Sequence, residues 1–156
     1  MEIQITSLKK TYGNKTALDG ITFSVGNGMF GLIGRNGAGK TTLLRILATL
    51  SRPSGGQVTF DGIPVEDTKK IRSFIGYLPQ EFSLYQDMSV LEVMRYLAAL
   101  SDIPGKTCRE RIPRLLQQVN LWDDRTKKVG KLSGGMKRRL GIAQALLDDP
   151  QVLIVD

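Results

Sequence analysis

Gly34-Arg35-Asn36-Gly37-Ala38-Gly39-Lys40-Thr41 fits the pattern G-x-x-x-x-G-K-[ST] and lies between an apolar run and a segment of helical periodicity, the setting a phosphate-cradling loop requires. The upstream run, Met29 to Ile33, reads as a short buried strand. Downstream, Lys40 to Leu50 reads as a helix with Leu43, Leu44, Ile46, Leu47 and Leu50 on one face. Gly34, Gly37 and Gly39 allow positive φ and keep side chains away from a ligand. The N–H groups of Gly34, Asn36, Gly37, Ala38 and Gly39 can therefore turn inward onto phosphate oxygens. The N-terminus of the helix adds its partial positive charge. In such a loop Lys40 would reach the β- and γ-phosphates as a mobile point charge, Thr41 would offer its hydroxyl to Mg²⁺, and Thr42 would lie near the α-phosphate. A nucleoside triphosphate is the first ligand to consider.

The 156 residues suffice for one real core, and their 41% hydrophobic content is that of a soluble globular protein rather than a disordered chain. No apolar run approaches the roughly 18 residues that span a bilayer, and Met1-Glu2-Ile3-Gln4 lacks the pattern of a secretion signal, so a cytosolic location is expected. A single cysteine, Cys108, excludes an internal disulfide and a cysteine metal cluster. The 22 Lys and Arg against 15 Asp and Glu give a net charge of +7, which raises the question of nucleic acid. The excess is scattered, however. Its densest clusters, Lys137-Arg138-Arg139 and Lys127-Lys128, carry no interleaved aromatics and read as solvated faces.

Along the chain, Ile3 to Leu8 and Ile21 to Val25 alternate as half-buried strands and suggest an antiparallel layer. Gln57 to Phe60 is a strand closed by the turn pair Asp61-Gly62, and Ile75 to Leu78 is another, stopped by Pro79. The character then turns helical. Ser89 is an N-cap for a helix carrying Val90, Val93, Met94 and Leu97. A second helix covers Thr107 to Val119, with Pro113 as an early turn or kink. Ser133 caps a third helix running to about Leu147. Val152 to Val155 is an all-apolar run that fits a central parallel strand covered on both faces.

Two further features carry chemistry. Asp156 follows four apolar residues, which delivers a carboxylate to the carboxyl end of a buried strand, where open α/β sheets bind ligands. Opposite Thr41 it would hold Mg²⁺. Leu132-Ser133-Gly134-Gly135-Met136 exposes several N–H groups at a helix N-terminus, which makes either a second phosphate site or a flexible helix start.

Taken together, the loop at Gly34–Thr41, the Ser133-Gly134-Gly135 turn and the strand-end Asp156 resemble the ATP-binding cassette family over the whole chain. Met136 stands where the family usually has glutamine. That substitution, with the Lys137-Arg138-Arg139 run after it, resembles cassettes that energise type-2 exporters. The resemblance implies an α/β P-loop NTPase fold with a mainly parallel central sheet, an N-terminal antiparallel β layer and an α-helical subdomain. It divides the chain into a nucleotide-binding core over 1–80, a helical subdomain over 81–132, and a return to the core over 133–156. It further implies that Tyr12 stacks on adenine and that Gln80 senses Mg²⁺ and the γ-phosphate beside Lys40. ATP and Mg²⁺ are the implied cofactors. The implied partners are a second cassette, docked head to tail, and a transmembrane permease on the inner face of the membrane, met by Gln80 and the segment from Phe82 to Tyr96. Nucleic acid is not implied.

The family's catalytic glutamate directly follows the strand-end aspartate, and a switch histidine lies further on. This chain stops at Asp156 and contains no histidine, so the resemblance implies a truncated cassette that binds MgATP but scarcely hydrolyses it, with apolar surface and a strand edge left open. Two rival readings stand beside this one. A soluble cassette acting on nucleic acid or the ribosome predicts strongly salt-dependent binding. A small-molecule P-loop kinase has no use for the Ser133 turn.

Overall fold

The computed structural model describes residues 1–81 and 84–156. The expectation placed on Phe82 falls outside the described residues. The described chain forms two compact units, Met1–Ile75 with Asp156, and Gly76–Val155.

In the first unit, β1 (Ile3–Tyr12) is the centre of a four-stranded sheet in the order β2-β1-β3-β4, with β2 at Lys15–Val25, β3 at Gly55–Phe60 and β4 at Ile63–Pro64. The β1–β2 and β1–β3 pairings are antiparallel, with Ile5 opposite both Phe23 and Val58. The strand period of two buries Ile3 and Ile5 of β1 with Val58 and Phe60, and the register shift between Ile5 and Leu8, where Ser7 takes a φ of 47°, leaves Leu8 buried as well. Asp61 and Gly62 take positive φ of 45° and 78°, the conformation of a two-residue hairpin turn, and join β3 to β4. The helix α1 (Lys40–Leu47) buries Leu43, Ile46 and Leu47. It stops short of Leu50, which is exposed, because Thr49 turns to a φ of 60°. A short α2 (Thr68–Arg72), capped by the Asp67 carboxylate, precedes β5.

The segment Met29–Ile33 departs from the expected buried strand. No strand forms there; Met29 and Ile33 are 100% exposed, and Phe30 and Leu32 are about half exposed. An apolar run specifies burial, but a strand exists only when a neighbour accepts its backbone hydrogen bonds. Among the described residues no strand pairs with this run.

In the second unit, β5 (Ile75–Leu78) and β6 (Val152–Val155) form a two-stranded parallel sheet. The expectation that both faces of β6 are covered fails as well: Ile154 is buried, whereas Leu153 and Val155 on the other face are half exposed. Between these strands lie α3 (Val90–Leu100), α4 (Gly105–Gln118) and α5 (Gly134–Ala145). α3 starts where it does because Ser89 and Glu92 form a capping box that satisfies each other's backbone N–H. Its inner face sets Val90, Val93, Met94 and Ala98 against Ile112, Leu115 and Leu116 of α4 and Leu140 and Ala143 of α5. Each of the larger aliphatic side chains contributes about 1.5–3 kcal/mol on burial. α4 runs through Pro113, which cannot donate to the Arg109 carbonyl. Its C-terminus is tied to α5 by Arg139, whose Nη1 donates to the Val119 and Asn120 carbonyls at 3.1 and 2.9 Å. No helix among the described residues is long and apolar enough to cross a membrane.

Candidate functional site

The first unit gathers the loop, the helix start and the strand-end acid. Gly39 is the N-cap of α1 with φ 90° and offers no side-chain cap, and the first turn carries no acidic residue. The N–H groups of that turn therefore face outward without a side-chain partner, the condition that makes a helix start an anion site. Glycine at position 39 is required twice. Its φ is left-handed, and a Cβ there would lie 2.5 Å from the Ala17 carbonyl oxygen and 2.7 Å from Leu18 Cδ2. Gly37, with φ 83°, has no heavy atom within 4 Å of where a Cβ would sit, so the loop is open on that side.

Lys40 folds its ammonium back over the loop and donates to the Gly34 and Arg35 carbonyls at 2.6 and 2.9 Å. Thr41, one residue on, donates its hydroxyl to Asp156 Oδ1 at 2.9 Å, across 115 residues of sequence. A hydroxyl and a carboxylate in contact are hard oxygen donors of the kind Mg²⁺ takes. Beside them are a mobile ammonium and uncapped N–H groups suited to phosphate oxygens. Asn36, Ala38 and Thr42 belong to the same loop and helix start, Thr42 half-buried in the first turn. Tyr12 ends β1 with its ring 47% exposed, and Lys10 Nζ lies 4.8 Å from the ring centroid.

The remaining candidates belong to the second unit. Gln80 follows β5 as an exposed residue, and its carbonyl accepts from Arg138 Nη1 of α5 at 3.4 Å. Ser133 is the N-cap of α5, its Oγ accepting from the Met136 N–H at 3.3 Å, and Ser133, Gly134 and Gly135 are all exposed. The turn thus presents backbone donors at a second helix start, as the residue types require.

Sequence reasoning missed three participants. Lys10 under the Tyr12 ring was findable, since residues two apart share a strand face. Arg138 was noticed only as part of a basic run, and its reach to the Gln80 carbonyl spans 58 residues. The backing of Gly39 by Ala17 had no local signal. Ala17 lies at a register shift, between the pairs Thr11↔Thr16 and Lys10↔Leu18.

A family profile described as ABC transporter matches residues 18–156. Among curated proteins, the chain is 40% identical over 156 residues to the Nod factor export ATP-binding protein I of Paraburkholderia xenovorans (strain LB400), covering 99% of this chain and 51% of that protein. It is 41% identical over 127 residues to the probable multidrug ABC transporter ATP-binding protein YbhF of Escherichia coli (strain K12), covering 81% of this chain and 22% of that protein. The chain spans about half the length of the Nod factor relatives it matches. Among solved structures, an ATP binding subunit of an ABC transporter superposes with a TM-score of 0.86 at 28% identity, covering 100% of this chain and 66% of that one. The cbiO1 protein from Clostridium perfringens, part of the ABC transporter complex cbiONQ, superposes with a TM-score of 0.83 at 28% identity, covering 99% and 64%.

Proposed function

The chain belongs to the ABC transporter family, in its ATP-binding branch, and from that premise we propose that it is the nucleotide-binding part of a membrane transporter's ATPase subunit. The Thr41–Asp156 hydrogen bond of 2.9 Å carries this reading, because it unites the start of the P-loop helix with the carboxylate that ends a distant strand. In the proposed complex the N–H groups of Gly34 to Gly39 and the Lys40 ammonium hold the triphosphate, Thr41 and Asp156 hold Mg²⁺, and Tyr12 stacks on the adenine. Lys40 exchanges its two loop carbonyls for phosphate oxygens, which are better acceptors because they are charged. The metal, when bound, neutralises charge on the β- and γ-phosphate oxygens. Within these 156 residues the site supplies positioning and charge neutralisation, so binding of MgATP is the activity to measure.

By the same reading residues 1–80 and 133–156 serve nucleotide and 81–132 serve the membrane partner. Two copies pair head to tail, the Ser133-Gly134-Gly135 turn of one completing the nucleotide site of the other, and Gln80 relays nucleotide state toward a permease. The subunit works at the cytoplasmic face of the membrane through that permease. Export as the direction of transport is supported by the similarity to the Nod factor export ATP-binding proteins.

The test is titration calorimetry of MgATP against the chain and its Lys40→Ala variant. Loss of a charge-assisted hydrogen bond to phosphate costs about 1.5–3 kcal/mol, so affinity should fall about ten- to a hundredfold. Unchanged binding would overturn the assignment.

A further inference from the structure

α3 presents two different flanks. On one, Tyr96 packs edge-on against Tyr85 with ring centroids 5.2 Å apart. On the other, Leu91, Arg95 and Ala99 recur every four residues and form one wall of a groove of about 480 Å³, whose opposite wall is Arg109 and Ile112 of α4 and whose end is Trp122. The floor is apolar and no lining residue is acidic. The rim is cationic: Arg95 and Arg109 are exposed, and among the described residues neither forms an ion pair. The acid nearest Arg95 along α3, Glu92, feels the Arg95 charge but forms no ion pair with it, its Oε2 instead accepting from the Ser89 N–H of the capping box at 2.7 Å. A third cation, Arg125, stacks over the Trp122 ring at 4.4 Å.

The geometry points to this α3/α4 groove as a docking site for an acidic amphipathic helix of a partner protein. Both walls are helices and offer no strand edge for an extended peptide to join. A third helix laid between two others is the arrangement that apolar stripes of this spacing accept. The eleven residues of α3 are long enough to meet about three turns of it. Carboxylates flanking the partner's apolar stripe would meet Arg95 on one rim and Arg109 on the other. Arginine suits this role, since its planar fork binds carboxylate through two hydrogen bonds. The surface is separate from the Gln80 and Ser133 residues and does not depend on the nucleotide reading.

The experiment uses the 156-residue chain and two fluorescein-labelled helical peptides of about 15 residues that share one leucine stripe, one flanked by glutamates and the other by lysines. Fluorescence anisotropy at physiological salt should show the acidic peptide binding roughly tenfold or more tightly than its basic twin. The double variant Arg95→Glu/Arg109→Glu should reverse that preference, and Ala99→Trp, which fills the groove from its α3 wall, should weaken the acidic peptide about tenfold. Lys69→Glu/Lys70→Glu applies the same charge change in the other unit and should bind as the parent does. If circular dichroism shows the glutamate pair unfolded, Arg95→Gln/Arg109→Gln gives the same reading with a loss in place of a reversal. Equal binding of the two peptides would overturn the proposal. So would an equal loss in the Lys69/Lys70 control, or amide shift changes that map to Tyr85 and Tyr96 instead of the groove.

Discussion

Replacing Gly39 with alanine, set beside the same change at Gly37, isolates one tertiary contact on which the Gly34–Thr41 loop depends. Both glycines hold left-handed backbone, with φ 90° and 83°, so both substitutions incur about 1–2 kcal/mol of backbone strain. They differ in what the new methyl meets. At position 37 it enters open space; at position 39 it lies 2.5 Å from the Ala17 carbonyl oxygen and 2.7 Å from Leu18 Cδ2. The leucine tip can rotate, but the carbonyl is held by neighbours on both sides, since Thr16 pairs with Thr11 and Leu18 with Lys10. Overpacking of this kind adds about 1–3 kcal/mol. Gly39→Ala should therefore lose about 2–5 kcal/mol and Gly37→Ala about 1–2 kcal/mol. For a chain of this length each kcal/mol lowers the melting temperature by about 2–4 °C. Scanning calorimetry on the two variants should separate them by several degrees, with Gly39→Ala the lower. Equal losses would refute the claim that β2 backs the helix start. They would leave the loop's glycines explained by φ alone.

The other expectations are simpler. Asp156→Asn keeps an oxygen for the Thr41 hydroxyl but removes the charge, so ATP binding measured with and without Mg²⁺ should lose its metal-dependent part selectively; equal losses in both conditions would show that the carboxylate does not serve the metal. The Glu92 carboxyl is held below the usual glutamate range, first by the Ser89 backbone N–H, then by the Ser89 hydroxyl, with the Lys128 and Arg95 charges adding to this against an opposing effect of burial. A lowered folded-state value means its contribution to stability is present at neutral pH and lost as pH falls through the carboxylate range. Melts taken between about pH 6 and pH 3 should fall less steeply for Glu92→Gln than for the parent, and identical acid limbs would count against the capping box as an acid-sensitive support. Met29 and Ile33 stand fully exposed next to half-exposed Phe30 and Leu32, a contiguous apolar run of the kind that drives association. Met29→Ser/Ile33→Ser should lower the weight-average mass in sedimentation equilibrium, and a parent chain that stays monomeric at high concentration would dismiss the effect.

Much of the site was legible from residue types because its parts are local. The spacing of Gly34, Gly39, Lys40 and Thr41 names a phosphate loop wherever it occurs between a strand-like run and a helix. Ser89 with Glu92, and Ser133 ahead of two glycines, announce helix starts by chemistry that acts within one turn. The same locality explains why the helical periodicity of α3 and the alternation of β1 could be read directly, while α1 ended three residues earlier than its leucines suggested.

Pairing is where residue patterns ran out. Met29–Ile33 and Val152–Val155 look alike as apolar runs, yet β6 pairs with β5 while the other run forms no strand among the described residues. Apolarity states that a segment prefers cover; it does not say which backbone will provide the hydrogen bonds. The sequence by itself determined the glycine-rich loop ahead of α1 and the capped starts of α3 and α5, because each rests on groups within a few residues of one another. Only the tertiary structure decided that Thr41 and Asp156 touch, that Ala17 presses on Gly39, and that α3 and α4 leave a cationic groove between them. Those contacts join positions far apart in the chain, and the free energy that holds them comes from burial and packing shared across the whole fold.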